Sequence, residues 1–340
     1  MRFEGLVELI GTSGAITDLR LEIQRVARTD ADVLITGESG SGKEVVARQI
    51  HAASARADRP FITVNCARLP ETALESELFG HARGGSIGPP RRKAGKLTTA
   101  DGETIFLDEI GEMSMRMQGL LLRFLETGEI PGVDGDGPAA PVNVRIITAT
   151  SRSLRSLIAL GKFRENLSYR LNVIDLLVPP LRGRSQDVPA LVEYFLGRLC
   201  PPDHRGITPE AMAALVAYSW PGNVSELRNV VKRIVVRRRS ETIAIDDIPG
   251  NIRAASTADD LYTRIVAEHQ SFWTTVYPLF MSGEITRARV RQIVSRGLQD
   301  ARGNYTIVAR MFNMQERGDY MKFLSFLRNH QCQPPFKEFR

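Results

Sequence analysis

Cysteine is scarce in this chain, and the three present (Cys66, Cys200 and Cys332) stand far apart with no CxxC pair. That spacing argues against a disulfide scaffold and a zinc site, and it fits a reducing cytosol. Long apolar runs are missing too. No stretch approaches the length needed to span a bilayer, and Met1–Gly14 carries Glu4 and Glu8 without a sustained apolar core. A membrane protein and a secretory signal peptide are thereby excluded, and a cytoplasmic protein is expected. There is no internal repeat, so a solenoid or propeller is not expected. Net charge is modest, at +6, but unevenly placed: residues 251–340 hold 13 Lys+Arg against 8 Asp+Glu and so carry most of it. A basic C-terminal quarter hints at nucleic-acid contact, although charge alone fits a solvated surface equally well.

At 340 residues the chain is long enough for two or three domains. Its first part alternates segments of helical and extended spacing. Helical spacing covers Ile16–Ala27, Lys43–Ser54, Glu71–Phe79 and Met113–Thr127. Extended segments are Val33–Thr36, Phe61–Asn65, Thr104–Asp108 and Val142–Ala149. Such alternation predicts an α/β fold, a parallel sheet with helices on both faces. From Asp187 the extended signals fade. Val188–Leu199, Pro209–Tyr218 and Val224–Arg237 predict a smaller helical unit. The polar, small-residue stretch Asn251–Asp260 suggests a linker, and Leu261–Arg328 again reads as helices. Phe272, Trp273, Tyr277 and Phe280 in that last part suit a core or a dimer contact better than a ligand box.

The most specific local signal is Gly37-Glu38-Ser39-Gly40-Ser41-Gly42-Lys43, placed between the apolar run Val33–Ile35 and a helical segment. Glycines let backbone N–H groups turn inward around phosphate oxygens, the following helix points its positive end there, and Lys43 adds a mobile charge. A Gly/Ser-rich turn without a ligand is the bland alternative, and the strand–loop–helix context argues against it. The general pattern has Ser or Thr after the lysine, to hold magnesium, where Glu44 stands here. The apolar strand Thr104–Leu107 ends in Asp108 and Glu109, 65 residues after Lys43 in the case of Asp108. Beside a phosphate loop, Asp108 suits orientation of Mg2+, directly or through water, and Glu109 suits polarising an attacking water. Arg164 and Arg170 could stabilise charge developed in phosphoryl transfer, or simply occupy an exposed helix face.

Together these stretches resemble the AAA+ domain of bacterial enhancer-binding proteins, the NtrC-type activators of sigma-54 RNA polymerase. The resemblance runs through Gly37–Glu44, Val64–Ala67, Glu75–His81, Phe106–Ile110, Phe163-Arg164, Tyr169–Asn172 and Trp220–Val224, in order, over roughly residues 9–248. It implies an AAA+ α/β subdomain over 9–180, a helical lid over 181–250, a linker over 251–260 and a helical C-terminal domain over 261–340. It implies that Gly37–Glu44 bind the phosphates of ATP, Glu44 being usual for the family. Asp108 and Glu109 then handle Mg2+ and water, Asn65 restrains the catalytic glutamate, and Arg164 and Arg170 reach a neighbouring subunit's site in a homo-oligomeric ring. With no receiver or ligand-sensing domain before Leu9, a complete chain is expected to lack the usual regulatory input in cis.

Several residues depart from that family's pattern. Its sigma-54 contact loop carries an aromatic and a threonine where this chain has Ser86 and Ile87, and here Pro89 ends the motif. Serine removes the apolar anchor from the tip, and proline stiffens it. Ser225 replaces the family's phosphate-contacting arginine, with Arg228 one turn on, and Ser151 replaces an asparagine after the strand Val142–Ala149. Three expectations follow: an ATP-binding transcription regulator that couples hydrolysis to sigma-54 polymerase, a nucleotide-gated DNA-binding scaffold with little turnover and no sigma-54 contact, or a general AAA+ remodelling ATPase without DNA binding.

Gly303–Met314 is similar to the Fis-type helix-turn-helix that ends many such regulators, with the motif spanning 303–328. Ala309 sits where two helices would cross, and Asn313 where a left-handed residue is needed. The recognition helix is expected to begin near Gln315, with Gln315, Arg317 and Lys322 as DNA contacts; Gly318 and Asp319 suit that role poorly. A small helical bundle for dimer contacts is the alternative.

Overall fold

The structure, a computed structural model, describes residues 8–82, 92–128, 142–201, 206–238, 240–283, 285–314 and 318–334. The chain forms two compact units, one of residues 1–194 with 220–229, the other of 195–219 with 230–340.

In the first unit the chain runs α1 (Gly14–Ala27), β1 (Val33–Thr36), α2 (Lys43–Ala52), β2 (Phe61–Asn65) and α3 (Glu71–Phe79). A short antiparallel pair follows, β3 (Gly80–Ala82) with β4 (Arg92–Ala94). Next come α4 (Lys96–Thr99), β5 (Thr104–Asp108), α5 (Met115–Thr127), β6 (Arg145–Thr150), α6 (Leu154–Ala159), α7 (Glu165–Leu171) and β7 (Ile174–Leu177). Strands β2-β5-β6-β1-β7 make one parallel sheet in that order. Its strands are apolar on both sides because helices cover both faces. Val33, Ile35, Phe106 and Ile147 enter one core with α1 and α2, while Leu34, Ile105, Leu107 and Ile146 enter the other with α3 and α5. Neighbouring residues thus alternate between two cores, as a strand's period of two requires.

Sequence spacing located the long elements and missed short ones. Helix α5 begins at Met115 and not at Met113, because the Ser114 hydroxyl accepts the Met117 N–H and caps the helix. Edge strand β7 was not foreseen; of its four residues only Leu176 is buried, so its alternation is too short to read.

The second unit is helical. It holds the end of α8 (Val188–Leu199), then α9 (Pro209–Ala217) and most of α10 (Asn223–Arg237). It continues with α11 (Gly250–Val266), α12 (Phe272–Thr275), α13 (Tyr277–Met281), α14 (Arg287–Asp300), α15 (Tyr305–Met311) and α16 (Asp319–Asn329). The expected linker 251–260 is instead the body of α11. Its small polar composition suggested a flexible segment, but it holds three alanines and no glycine or proline. Alanine favours helix, and Ile252, Leu261 and Ile265 bury at helical spacing around it. Phe272 is fully buried and packs its ring on Phe312, Phe323 and Phe326 at 5.9, 5.1 and 5.8 Å. Trp273, Tyr277 and Phe280 lean on the same core, as expected for packing residues. Among the described residues no helix is long and apolar enough to cross a membrane.

Candidate functional site

Because the strands are parallel, the segments after β1, β5 and β6 come out at one edge of the sheet. That edge collects the groups the sequence singled out. After β1 the loop Gly37–Gly42 leads into α2, and Gly42 precedes the helix with φ 110°. Gly40 has φ 74°, and a Cβ there would lie 2.5 Å from the Gly222 carbonyl oxygen, so no other residue fits. A Cβ on Gly42 would meet nothing within 4 Å, so the loop is open on that side.

The loop's carbonyls are engaged by donors one after another. Lys43 Nζ donates to Gly37 O at 3.0 Å and to Glu38 O at 3.3 Å. Asn223 Nδ2 donates to Ser39 O at 3.0 Å, the Ser225 N–H to Gly40 O at 3.3 Å, and Arg184 Nη2 to Ser41 O at 2.9 Å. The N–H groups of Gly40, Gly42 and Lys43, by contrast, have no acceptor among the described residues. The buried Ser41 hydroxyl also lacks a partner. Unsatisfied N–H groups at a helix N-terminus, beside an ammonium group, form an anion site. The cleft over the loop, about 150 Å³, is bounded by Gly40, Gly42, Glu44, Arg48, Ser225 and Arg228. The Arg228 side chain is exposed and has no hydrogen-bond or ion-pair partner among the described residues. A wider groove of about 770 Å³ lies on the other flank, past Gly37, Glu38 and Ser151.

Two carboxylates face this loop in unequal settings. Burial, and then the neighbouring charge of Glu109, push the Asp108 carboxyl above its ordinary value, against the pull of Lys43 and Asn65. Burial acts on Glu109 in the same direction but is outweighed. Its Oε2 accepts the Ser151 N–H at 2.9 Å and the Ser151 hydroxyl at 2.8 Å, and its Oε1 lies 3.3 Å from Lys43 Nζ, leaving it below the ordinary value. Glu109 sits at φ 53°, a left-handed conformation that non-glycine residues rarely adopt. Ser151, which stands where the family has asparagine, therefore holds the glutamate with two donors.

Asn65 is placed differently from the expectation. Its amide donates to Asp108 Oδ2 at 2.8 Å and not to Glu109, because β2 pairs Asn65 with Asp108 in register. Arg164 and Arg170 are not part of the same chain's loop site. Arg164 Nε donates to Met115 O at 3.1 Å, and Arg170 donates twice to Leu125 O and lies 3.9 Å from Asp32. Besides Arg184, two contributors were not foreseen. Arg182 forms a two-pronged ion pair with Glu38, and Asn223 reaches both Glu38 and Ser39. The Trp220–Val224 stretch was the sequence signal for Asn223, but nothing local showed that it folds against the loop.

Residues 9–177 match the sigma-54 interaction domain, and residues 182–263 match the AAA+ ATPase lid domain. The chain belongs to the sigma-54-dependent enhancer-binding protein family. It is 47% identical over 249 residues to the transcriptional regulatory protein ZraR of Salmonella typhimurium, covering 72% of this chain and 56% of that protein. It is 41% identical over 313 residues to the regulatory protein AtoC of Escherichia coli, covering 91% of this chain and 65% of that protein. The structure of NtrX from Brucella abortus in complex with ATP superposes with a TM-score of 0.66 at 33% identity, over 95% of this chain and 70% of that one. The matches thus span less than two thirds of these two curated relatives. Within this enhancer-binding-protein chain, the family's sigma-contact positions Ser86, Ile87 and Pro89 lie outside the described residues, as do Gln315 and Arg317.

Lys322 is exposed on α16 and lies 3.9 Å from Asp319. Helix α16, which carries Lys322, begins at Asp319; the expected start near Gln315 lies outside the described residues. Gly318, at φ 106°, sets its start. Asn313 does take the left-handed conformation, at φ 53°, and its amide donates to Ile265 O at 2.8 Å. Ala309 is buried.

Proposed function

We propose that this chain binds ATP with Mg2+ at the Gly37–Glu44 loop, hydrolyses it, and uses the cycle to control transcription as a sigma-54-type regulator. The observation that carries the proposal is the set of unsatisfied N–H groups at Gly40, Gly42 and Lys43 facing Asp108 and Glu109. The ATP complex of NtrX supports it. Among the described residues no group of three His, Cys, Asp or Glu could hold a metal, but Mg2+ needs only one or two carboxylates besides substrate phosphates, which Asp108 supplies. When bound, the ion would neutralise charge on the phosphates.

The residues divide the work by chemistry. The loop N–H groups and Lys43 hold the phosphates and stabilise negative charge as it grows on them. Glu109 takes a proton from the attacking water, which requires it to leave or share its Ser151 bonds. Arg228, free at the mouth of the cleft, takes the place of the charge missing at Ser225. Arg164 and Arg170 act on the site of a neighbouring copy in a ring, and the C-terminal helices bind DNA through the exposed side of α16.

The test is the ATPase rate against protein concentration for the wild type and Glu109→Gln. Loss of a general base is expected to lower the rate by at least about a hundredfold. A wild-type rate no higher than that of Glu109→Gln would remove the hydrolytic part. Open-complex formation with sigma-54 polymerase, measured alongside, tests whether the altered loop at Ser86, Ile87 and Pro89 still makes contact; its absence together with little turnover would favour a scaffold.

A further inference from the structure

The phosphate loop is shaped largely from outside itself, by the turn that opens α10. Asn223 has its side chain fully buried and its backbone at φ 53°. Its Oδ1 accepts the Leu181 N–H at 2.8 Å. Its Nδ2 donates to Ser39 O at 3.0 Å and to Glu38 Oε2 at 3.2 Å. One amide therefore joins three segments: the loop, the chain just after β7, and the start of α10. The turn around it is in backbone contact with the loop, since the Ser225 N–H donates to Gly40 O and Gly222 O fills the space beside Gly40. The turn is fixed in its own right. Trp220 is fully buried, its carbonyl accepts the Asn223 N–H at 2.8 Å, and Glu226 Oε2 accepts the Gly222 N–H at 2.8 Å.

A peptide unit has its carbonyl on one edge and its N–H on the other. Holding the Ser39 carbonyl therefore fixes which way the Gly40 N–H points, and that N–H is among those left for a ligand. Without the anchor, Gly40 on one side of that peptide lets it rotate, and the cradle must be ordered anew each time a ligand binds.

We infer that Asn223 is a positioning residue for the nucleotide site, which presets the phosphate loop by anchoring the Ser39 carbonyl. The inference rests on the nucleotide reading proposed above. Asparagine suits the position on two counts: it tolerates the left-handed backbone, and it offers a donor and an acceptor on one planar group. Aspartate would keep the acceptor for Leu181 but lose the donor, and would set a second carboxylate against Glu38.

The experiment uses the full chain and titrates ADP calorimetrically, which reports the affinity and the fraction of competent protein separately. Asn223→Gly keeps the backbone conformation and removes the amide; it is expected to weaken ADP binding about tenfold, in line with one lost anchoring hydrogen bond. The KM for ATP should rise in parallel. Asn223→Asp should be weaker still, and Glu38→Gln added to it should restore part of the affinity, because glutamine can donate to the new carboxylate. A residue that only supports folding would lower the competent fraction and leave the affinity of the remainder unchanged, and that outcome overturns the inference. Unchanged ADP affinity in Asn223→Gly overturns it as well, while the nucleotide reading stands. A wild-type chain that binds no ADP overturns both.

Discussion

The nucleotide edge of the sheet and the C-terminal helices differ in where their chemistry resides. At the sheet edge the working groups are mostly backbone: N–H groups of Gly40, Gly42 and Lys43, left over after every carbonyl from Gly37 to Ser41 has found a donor. Few local sequences can make that arrangement, so the motif nearly specifies the site. On α16 the candidate contact, Lys322, is an exposed side chain, as are its neighbours Ser325, Arg328 and Asn329. Many sequences put such residues on a helix surface for no purpose but solubility. A site built from backbone can be recognised from its glycines, whereas a site built from surface side chains needs its partner to be recognised.

The sharpest way to break this contrast is to damage one region and measure the other. Phe272→Ala removes the ring at the centre of the helical unit's aromatic core and is expected to cost about 3–5 kcal/mol. The loss should fall on the unfolding of the helical unit, seen by calorimetry, with ADP affinity unchanged. A weakened ADP site would show that the two regions are energetically one.

The converse change is Gly40→Ala. It forces a side chain into a left-handed position, 2.5 Å from the Gly222 oxygen. Strain of about 1–2 kcal/mol from the backbone alone, plus the clash, is expected. ADP affinity should fall at least about tenfold. Binding at the wild-type level would mean that the loop's observed shape is not the one that holds phosphate.

A smaller effect is expected on the other side of the comparison. Lys322→Ala and Arg328→Ala each remove one exposed cation from α16. If both touch DNA phosphates, each should weaken duplex binding alike for all sequences and flatten the log-affinity against log-salt slope by about one. An unchanged slope would take α16 out of the DNA contact.

The smallest effect concerns pH. The Arg182 guanidinium, and then the Asn223 amide, hold the Glu38 carboxyl down to about 2. Because the folded-state value is depressed, the stabilisation is present above the ordinary carboxylate range and fades as pH falls through it toward 2. Both side chains of the pair are open to solvent, so water and salt screen it. The stability difference between the wild type and Arg182→Ala should therefore be small and constant near neutrality and disappear in acid. A difference that grows on acidification would contradict the Glu38–Arg182 pairing.

The legible parts of the fold were those with a strong local period or a demanding backbone. The strand limits of β1, β2 and β5 could be read directly, and so could the glycine loop and the acidic end of β5. Short β7 was not legible, having one buried residue. The stretch 251–260 is not legible as helix because a polar, small-residue composition fits a linker equally well; buried Ile252 lies within it and buried Leu261 just after it. Asn65 was expected to hold Glu109, yet strand register brings it to Asp108. Ser151 looked like a loss compared with asparagine, but its N–H and hydroxyl both reach Glu109.

By itself the sequence determined that a phosphate-binding loop exists and which carboxylates accompany it, because glycine conformations and strand ends are local properties. Only the tertiary structure decided what holds that loop in shape. Asn223 and Arg182 lie 184 and 144 residues from Ser39 and Glu38, in sequence separation. Contacts across such separations leave no periodicity in the chain. They arise when the parallel sheet brings its strand ends to one edge and the turn before α10 packs against them.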